Sequence, residues 1–304
     1  MRLRRVLPSL PFPAVLLVAL AGVVVRRAVR GAREVPLSPL SAGRRVGPDW
    51  PERVGIAVDT GSAGEPGGSN REPVVGEMDD LTAYERPGFD SERVAPVVRG
   101  FYERTAEFEM EYAVRWHGPF RAGAALVSPL TSAIGQLNLP GRSGPGGRLH
   151  GRFAAVRPGI DPREGARAWV RTDEDGAAVF VAVYASHERD GERFVNVAVP
   201  LPGGNLSTVL RIDHLDPDGE GGTVERGETA SGTGVRLHTD GPGDPGLYLS
   251  TPVGPFELPL DQSFAVEPAG PDEEGDLRAS HEMWVLGRRF LTVSYRIYAS
   301  TSTS

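Results

Sequence analysis

The chain has 304 residues, with 33 basic side chains against 40 acidic ones, and contains neither cysteine nor lysine, so every basic residue is arginine. That composition excludes disulfides, thiolate nucleophiles, cysteine-held zinc or iron–sulfur centres, and lysine chemistry of the Schiff-base, phosphate-loop or kinase kind. Residues 1–45 hold nine arginines and one acid, Glu34, and the remainder holds 24 arginines and 39 acids. An acidic body of this kind repels nucleic acid, so nucleic acid is not expected among its partners. Beyond residue 45 about 260 residues remain, enough for one large domain or two small ones with a core that needs no cross-links. The lysine deficit fits either a G+C-rich genome or adaptation to a salty cytosol.

Residues 6–25 are uncharged, bracketed by Arg2, Arg4 and Arg5 before and by Arg26, Arg27, Arg30 and Arg33 after. About twenty apolar residues span the hydrocarbon of a bilayer as a helix. Pro8, Pro11 and Pro13 weaken the first half, because interior prolines break helices. A single-pass anchor is the leading expectation for residues 1–33. A cleaved signal segment, suggested by Ala19-Leu20-Ala21, and an interfacial helix are the alternatives. The arginine-rich downstream flank favours a cytoplasmic domain. Residues 34–80, with six prolines and a small, polar run over 61–69, read as a linker without sustained periodicity.

Residues 81–304 read as a single domain. Val94, Val97, Val98 and Phe101 recur at helical spacing and predict a short helix over 96–104. A second is predicted over 129–137, with Pro129 at its first position. Between them, Phe108, Met110, Tyr112, Val114 and Trp116 alternate with polar residues, the mark of a half-buried strand. From residue 149 onward only strands are expected: 149–156, 166–172, 177–187, 193–199, 206–213, 222–229, 233–239, 246–251, 277–286 and 289–298. The run 177–187 is apolar on both faces and should be packed on both sides. The expected fold is therefore mainly β, with α+β character at its N-terminal side. An antiparallel meander should close into a barrel or sandwich, preceded by two short helices and an N-terminal transmembrane helix.

Few residues signal chemistry. Six histidines show no metal-ligand spacing and no HExxH, so neither metal nor cofactor is expected. His281 shares a strand face with Leu277, Ala279, Met283 and Val285, where it would be either a ligand anchor or a hydrogen-bonded core residue. Arg296 would supply a cation to a barrel wall if turned inward, and is solvated surface otherwise. Trp116 and His117, at the end of the first strand, would stand at a barrel mouth. The run His214–Gly219 with Glu225 approaches a calcium loop, but it lacks the leading acid and reads better as an acidic hairpin turn. There is no GxSxG elbow and no dinucleotide fingerprint. Asn205-Leu206-Ser207 is a glycosylation sequon if the domain lies outside the cell.

Gly100-Phe101-Tyr102-Glu103-Arg104, Trp116-His117-Gly118-Pro119-Phe120, Gln136-Leu137-Asn138-Leu139-Pro140 and the ending Trp284-Val285-Leu286-Gly287-Arg288-Arg289-Phe290-Leu291 resemble a family of uncharacterised, β-rich hypothetical proteins of G+C-rich bacteria and haloarchaea. The resemblance covers residues 95–298 and implies no activity. Three functions follow from the residues themselves. The first is a membrane-tethered binding protein for an apolar or amphiphilic small molecule, lipids included. The second is a structural or interaction module on a membrane. The third is a hydrolase-type enzyme using His281, His117 or His187 with a carboxylate. The oligomeric state is left open by the sequence.

Overall fold

A computed structural model describes residues 34–57, 74–215 and 233–300, with the backbone alone for 125–131. The expected anchor over 6–25 and the candidate strand over 222–229 lie outside the described residues. The described strands are β1 (Phe108–Trp116), β2 (Gly144–Ala155), β3 (Glu164–Thr172), β4 (Ala178–Arg189), β5 (Glu192–Leu201), β6 (Gly204–Leu215), β7 (Gly234–His238), β8 (Gly246–Thr251), β9 (Gly254–Leu258), β10 (Leu260–Pro268), β11 (Leu277–Val285) and β12 (Arg288–Ala299). Their hydrogen-bonded order is β5-β4-β3-β2-β1-β12-β11-β10-β7-β6, and β6 pairs back onto β5. Ten strands thus close an antiparallel barrel, which leaves no free edge around its circumference. The strands β8 and β9 form an outer hairpin on β6, where β8 pairs with residues 205–209 and β7 with residues 211–215.

Period-two alternation decides which side chains fill the barrel. On β1, Phe108, Met110, Tyr112 and Val114 are buried, and on β12 Leu291, Val293, Tyr295 and Ile297 are buried opposite them. The outer faces of these strands and of β11 are wet and laced with ion pairs. Arg148 bridges Glu109 and Glu111, Arg278 bridges Glu267 and Glu273, and Arg289 meets Glu282. Such a surface favours water over lipid hydrocarbon. No helix among the described residues is long and apolar enough to cross a membrane.

The linker expected over 34–80 is corrected by the structure where it is described. Residues 34–57 lie on the outside of the barrel and include the short helix α1 (Trp50–Arg53). Val46 and Trp50 are fully buried, packed with Ile56 on Val170, Val181, Val183 and Ala198. This is why β4 is apolar on both faces. Prolines suggested a tether, but the apolar residues between them supply a seam that the barrel covers. Val35, with Leu37 beside it, covers Phe194, Val209 and Tyr248 in the same way. Residues 74–80 also belong to the fold. A Cβ at Gly76 would stand 2.2 Å from the Glu103 carbonyl oxygen, so only glycine lets this backbone pass α2 (Pro96–Glu103) and carry Glu77 inward. Met78, Leu81, Tyr84, Phe89, Val98, Phe101 and Tyr102 join the barrel core from this side.

The helix α3 (Phe120–Ile134) begins well before the expected Pro129, with Pro119 rather than Pro129 at its start. Gly135, in the left-handed conformation (φ 64), ends it. Residues 46 and 47 dock on that end through Val46 N–H to the Ile134 carbonyl (2.7 Å) and Gly47 N–H to the Gly135 carbonyl (3.2 Å).

Just after α3 the wall of the barrel has an opened seam. The strands β4 and β5 pair only from Val183↔Ala198 onward, and toward Val181 and Pro200 the ladder stops. Pro200 has no N–H to offer. The fully buried Gln136 side chain takes the missing place. Its amide nitrogen donates to the carbonyls of Val181 (2.7 Å) and Pro200 (3.1 Å), and its oxygen accepts from Val181 N–H (2.9 Å). Asn138 N–H then bonds the Val179 carbonyl at 2.8 Å. Gln136→Ala leaves three buried backbone groups without partners and is expected to lower the unfolding free energy by about 2 kcal/mol, read from urea denaturation.

Candidate functional site

The barrel encloses a chamber of about 150 Å³. Most of its wall is aliphatic, with Val197, Val199, Leu206, Leu210, Leu237, Leu291 and Val293 among the lining residues, and Leu137 and Leu139 reach it from the seam. A polar group is set into this wall: Arg171 from β3, Glu77 from the segment before α2, Tyr184 from β4, Tyr295 from β12, and Gln262 and His281 from β10 and β11.

Arg171 is the centre of that group. It shares the inward face of β3 with Trp169, whose ring lies 3.5 Å from the guanidinium carbon, and Phe180 follows at 5.4 Å. Aromatic faces stabilise a cation that burial would otherwise disfavour. Burial raises the pKa of Tyr184 and Tyr295, and the guanidinium, which reaches both phenol oxygens, opposes the rise. Nε of Arg171 has no hydrogen-bond partner among the described residues.

Glu77 is 5% exposed, and its Oε1 likewise has no partner among the described residues. Burial pushes its carboxyl up to about 7, with the nearby Arg171 charge working against the rise. No ion pair joins the two side chains among the described residues. His281 hydrogen-bonds Gln262 at 3.3 Å and meets Phe264 edge-on at 5.8 Å. Burial, with the Arg171 charge second, pulls its imidazole down to about 4, so it is neutral at pH 7.

The four residues singled out in the sequence separate. His281 faces the chamber. Arg296 points outward, 59% exposed and 2.9 Å from Glu274, so the interior cation comes from Arg171 instead. Trp116 and His117 stand at the end of β1, where Trp116 pairs with the lining residue Leu291, but neither of the two lines the chamber itself. The Trp116 indole donates to the Pro140 carbonyl at 2.9 Å, and His117 meets the Thr292 hydroxyl at 2.9 Å. Burial and the charges of Arg289 and Arg115 hold the His117 imidazole below its usual range.

His187 lies on the outer face of β4, buried under the loop before β8 and 2.8 Å from Asp244, with Asn196 on its other nitrogen. Of these three histidines, only His281 reaches the chamber, so no pair of imidazoles meets an acid there. Among the described residues no cluster of His, Asp and Glu is arranged for a metal. Asn205 of the sequon is buried, its amide spent on the carbonyls of Ser38 and Leu40, and the folded chain does not present it.

Sequence reasoning missed Arg171, Glu77, Tyr184, Tyr295 and Gln262. Arg171 carried no local signal: Arg167, Trp169 and Arg171 alternate with Ala166, Ala168 and Val170, so the other face of β3 reads as the apolar one.

No family model matches the chain, and no solved structure matches it. It is 32% identical over 223 residues to a protein of Bacillus subtilis described as uncharacterized membrane protein YndJ. The similarity covers 73% of this chain and 38% of the length of that relative. Kinship with uncharacterised proteins therefore stands, while the placement of those proteins among G+C-rich bacteria and haloarchaea gains no support from it.

Proposed function

We propose that this chain is a membrane-tethered binding protein whose barrel holds a small amphiphilic molecule. The observation that carries the reading is the chamber itself: an aliphatic wall of about 150 Å³ with one concentrated polar group built into it. Interiors of β-barrels of similar strand number are either packed solid or hold one small ligand. An apolar protein cavity of about 150 Å³ takes a molecule the size of benzene. The ligand is accordingly a compact body of one ring or a short branched chain carrying a polar head. A long-chain lipid exceeds the space. The membrane part of the proposal rests on the uncharged run over 6–25 and on the similarity to a protein described as a membrane protein.

Two measurements test it. Native mass spectrometry of the full chain, purified in detergent, should show a population heavier than the polypeptide by roughly 80–150 Da, a benzene-sized body with or without a small polar head. Uniformly bare protein that also takes up no small aromatic compound contradicts the binding role. Membrane fractionation should place the full chain in the pellet and a chain lacking residues 1–33 in the supernatant. A pelleted, detergent-extractable truncated chain contradicts the tether. Protease protection then reports the side, for which the arginine-rich flank favours the cytoplasm.

A further inference from the structure

We infer that the molecule held in the chamber is a carboxylate, a monoanion on a compact apolar body, with its head on Arg171 between Tyr184 and Tyr295. The inference rests on the binding role proposed above and narrows it to one ligand chemistry.

Three observations carry it. First, among the described residues Arg171 is the sole cation lining the chamber, it is 9% exposed, and its Nε–H finds no partner there. A buried guanidinium left with an unused donor calls for an acceptor, and a carboxylate matches its fork geometry. Second, the other polar atoms around it suit a carboxylate. The Tyr184 and Tyr295 hydroxyls can each donate, and the Glu77 carboxyl, when protonated, offers a further O–H. Third, with the Glu77 carboxyl protonated, Arg171 is the one charge on the described lining left to neutralise, which calls for a monoanion. A phosphate dianion would leave an uncompensated buried negative charge beside Glu77, and a cation would meet Arg171 in a low-dielectric space. A neutral molecule would leave the guanidinium charge as it is. The chamber volume limits the body attached to the head to about the size of a benzene ring.

The test uses the full chain in detergent at pH 6, where Glu77 is mostly protonated and benzoate is ionised, and three probes of nearly equal size: benzoate, benzyl alcohol and benzene. Isothermal titration calorimetry should give benzoate a Kd at least tenfold below that of benzyl alcohol. Arg171→Gln should erase this preference, leaving benzoate bound no more tightly than benzyl alcohol. Tyr184→Phe and Tyr295→Phe keep the charge and should each weaken benzoate severalfold, which decides the matter should Arg171→Gln not fold. Benzyl alcohol binding as tightly as benzoate, or a benzoate preference that survives every one of these substitutions, overturns the carboxylate and leaves the binding role intact. A folded protein that takes none of the three probes overturns both.

Discussion

Glu77→Gln and His281→Gln should tilt the pH dependence of stability in opposite directions. Burial raises the Glu77 carboxyl from its ordinary 4.5 to about 7, so the folded chain holds this proton more tightly than the unfolded one. The stability tied to the protonated form is fully present below pH 4.5 and is lost as pH rises through 7. A gap of this size corresponds to about 3 kcal/mol. His281 works the other way. Burial lowers its imidazole from 6.5 to about 4, so the folded chain resists the proton that the unfolded chain accepts. Its stability is fully present above pH 6.5 and is lost as pH falls through 4, again by about 3 kcal/mol. Between pH 4.5 and 6.5 the two slopes overlap with opposite sign and offset each other in the natural sequence. Glu77→Gln should therefore gain stability on the wild type as pH rises from 4.5 to 7. His281→Gln should gain on it as pH falls from 6.5 to 4. Urea unfolding at four pH values between 4.5 and 7.5 checks this, and variant profiles parallel to the wild type would show that neither group titrates abnormally.

Asp161→Ala should lower the unfolding free energy by about 4 kcal/mol. The Asp161 and Arg163 side chains are 0% and 1% exposed, joined at 2.7 Å and 2.9 Å through both carboxylate oxygens. Ser38 Oγ donates to the same carboxylate at 2.7 Å. Burial alone would raise the Asp161 pKa, but the Arg163 hydrogen bonds and charge outweigh it and hold the carboxyl below its usual range. Removing the carboxylate strands a buried guanidinium and also unlatches residues 34–42 from the barrel. Asp161→Ala combined with Arg163→Met removes the stranded charge and should recover more than half of the loss. Equal instability of the single and double variants would mean that the Ser38 contact, not the charge pair, carries the effect.

Much of the fold was legible in the sequence because strand alternation is a local signal. Phe108–Trp116 reads as a strand from its own residues, and the paired apolar faces of 177–187 announce cover on both sides. Where the reading failed, the cause was local as well. The strand β10 escaped because Gln262 sits on its inward face and breaks the apolar alternation that Phe264 and Val266 would otherwise show. The strand β9, only five residues long, had too little pattern. The prolines of residues 34–57 suggest a linker, whereas Val46, Trp50 and Ile56 find their cover on strands more than a hundred residues away.

The site was less legible for the same reason. A buried Arg171 reads as an ordinary charged residue until the barrel closes around it. Its neighbours Glu77 and Tyr295 come from opposite ends of the domain. His281 could be named in advance because its whole strand face was apolar. Arg296 could not be oriented, since β12 alternates between two faces that each carry aromatic or aliphatic residues.

The chamber is the claim on which the ligand depends. Crystals of the protein pressurised with xenon give the most direct measurement, since xenon enters dry apolar cavities and scatters strongly. Bound xenon inside the barrel, beside Val197, Leu291 and Val293, or a small molecule already there with its polar end on Arg171, is the expected result. An interior filled by side chains, with no xenon among these residues, would contradict it.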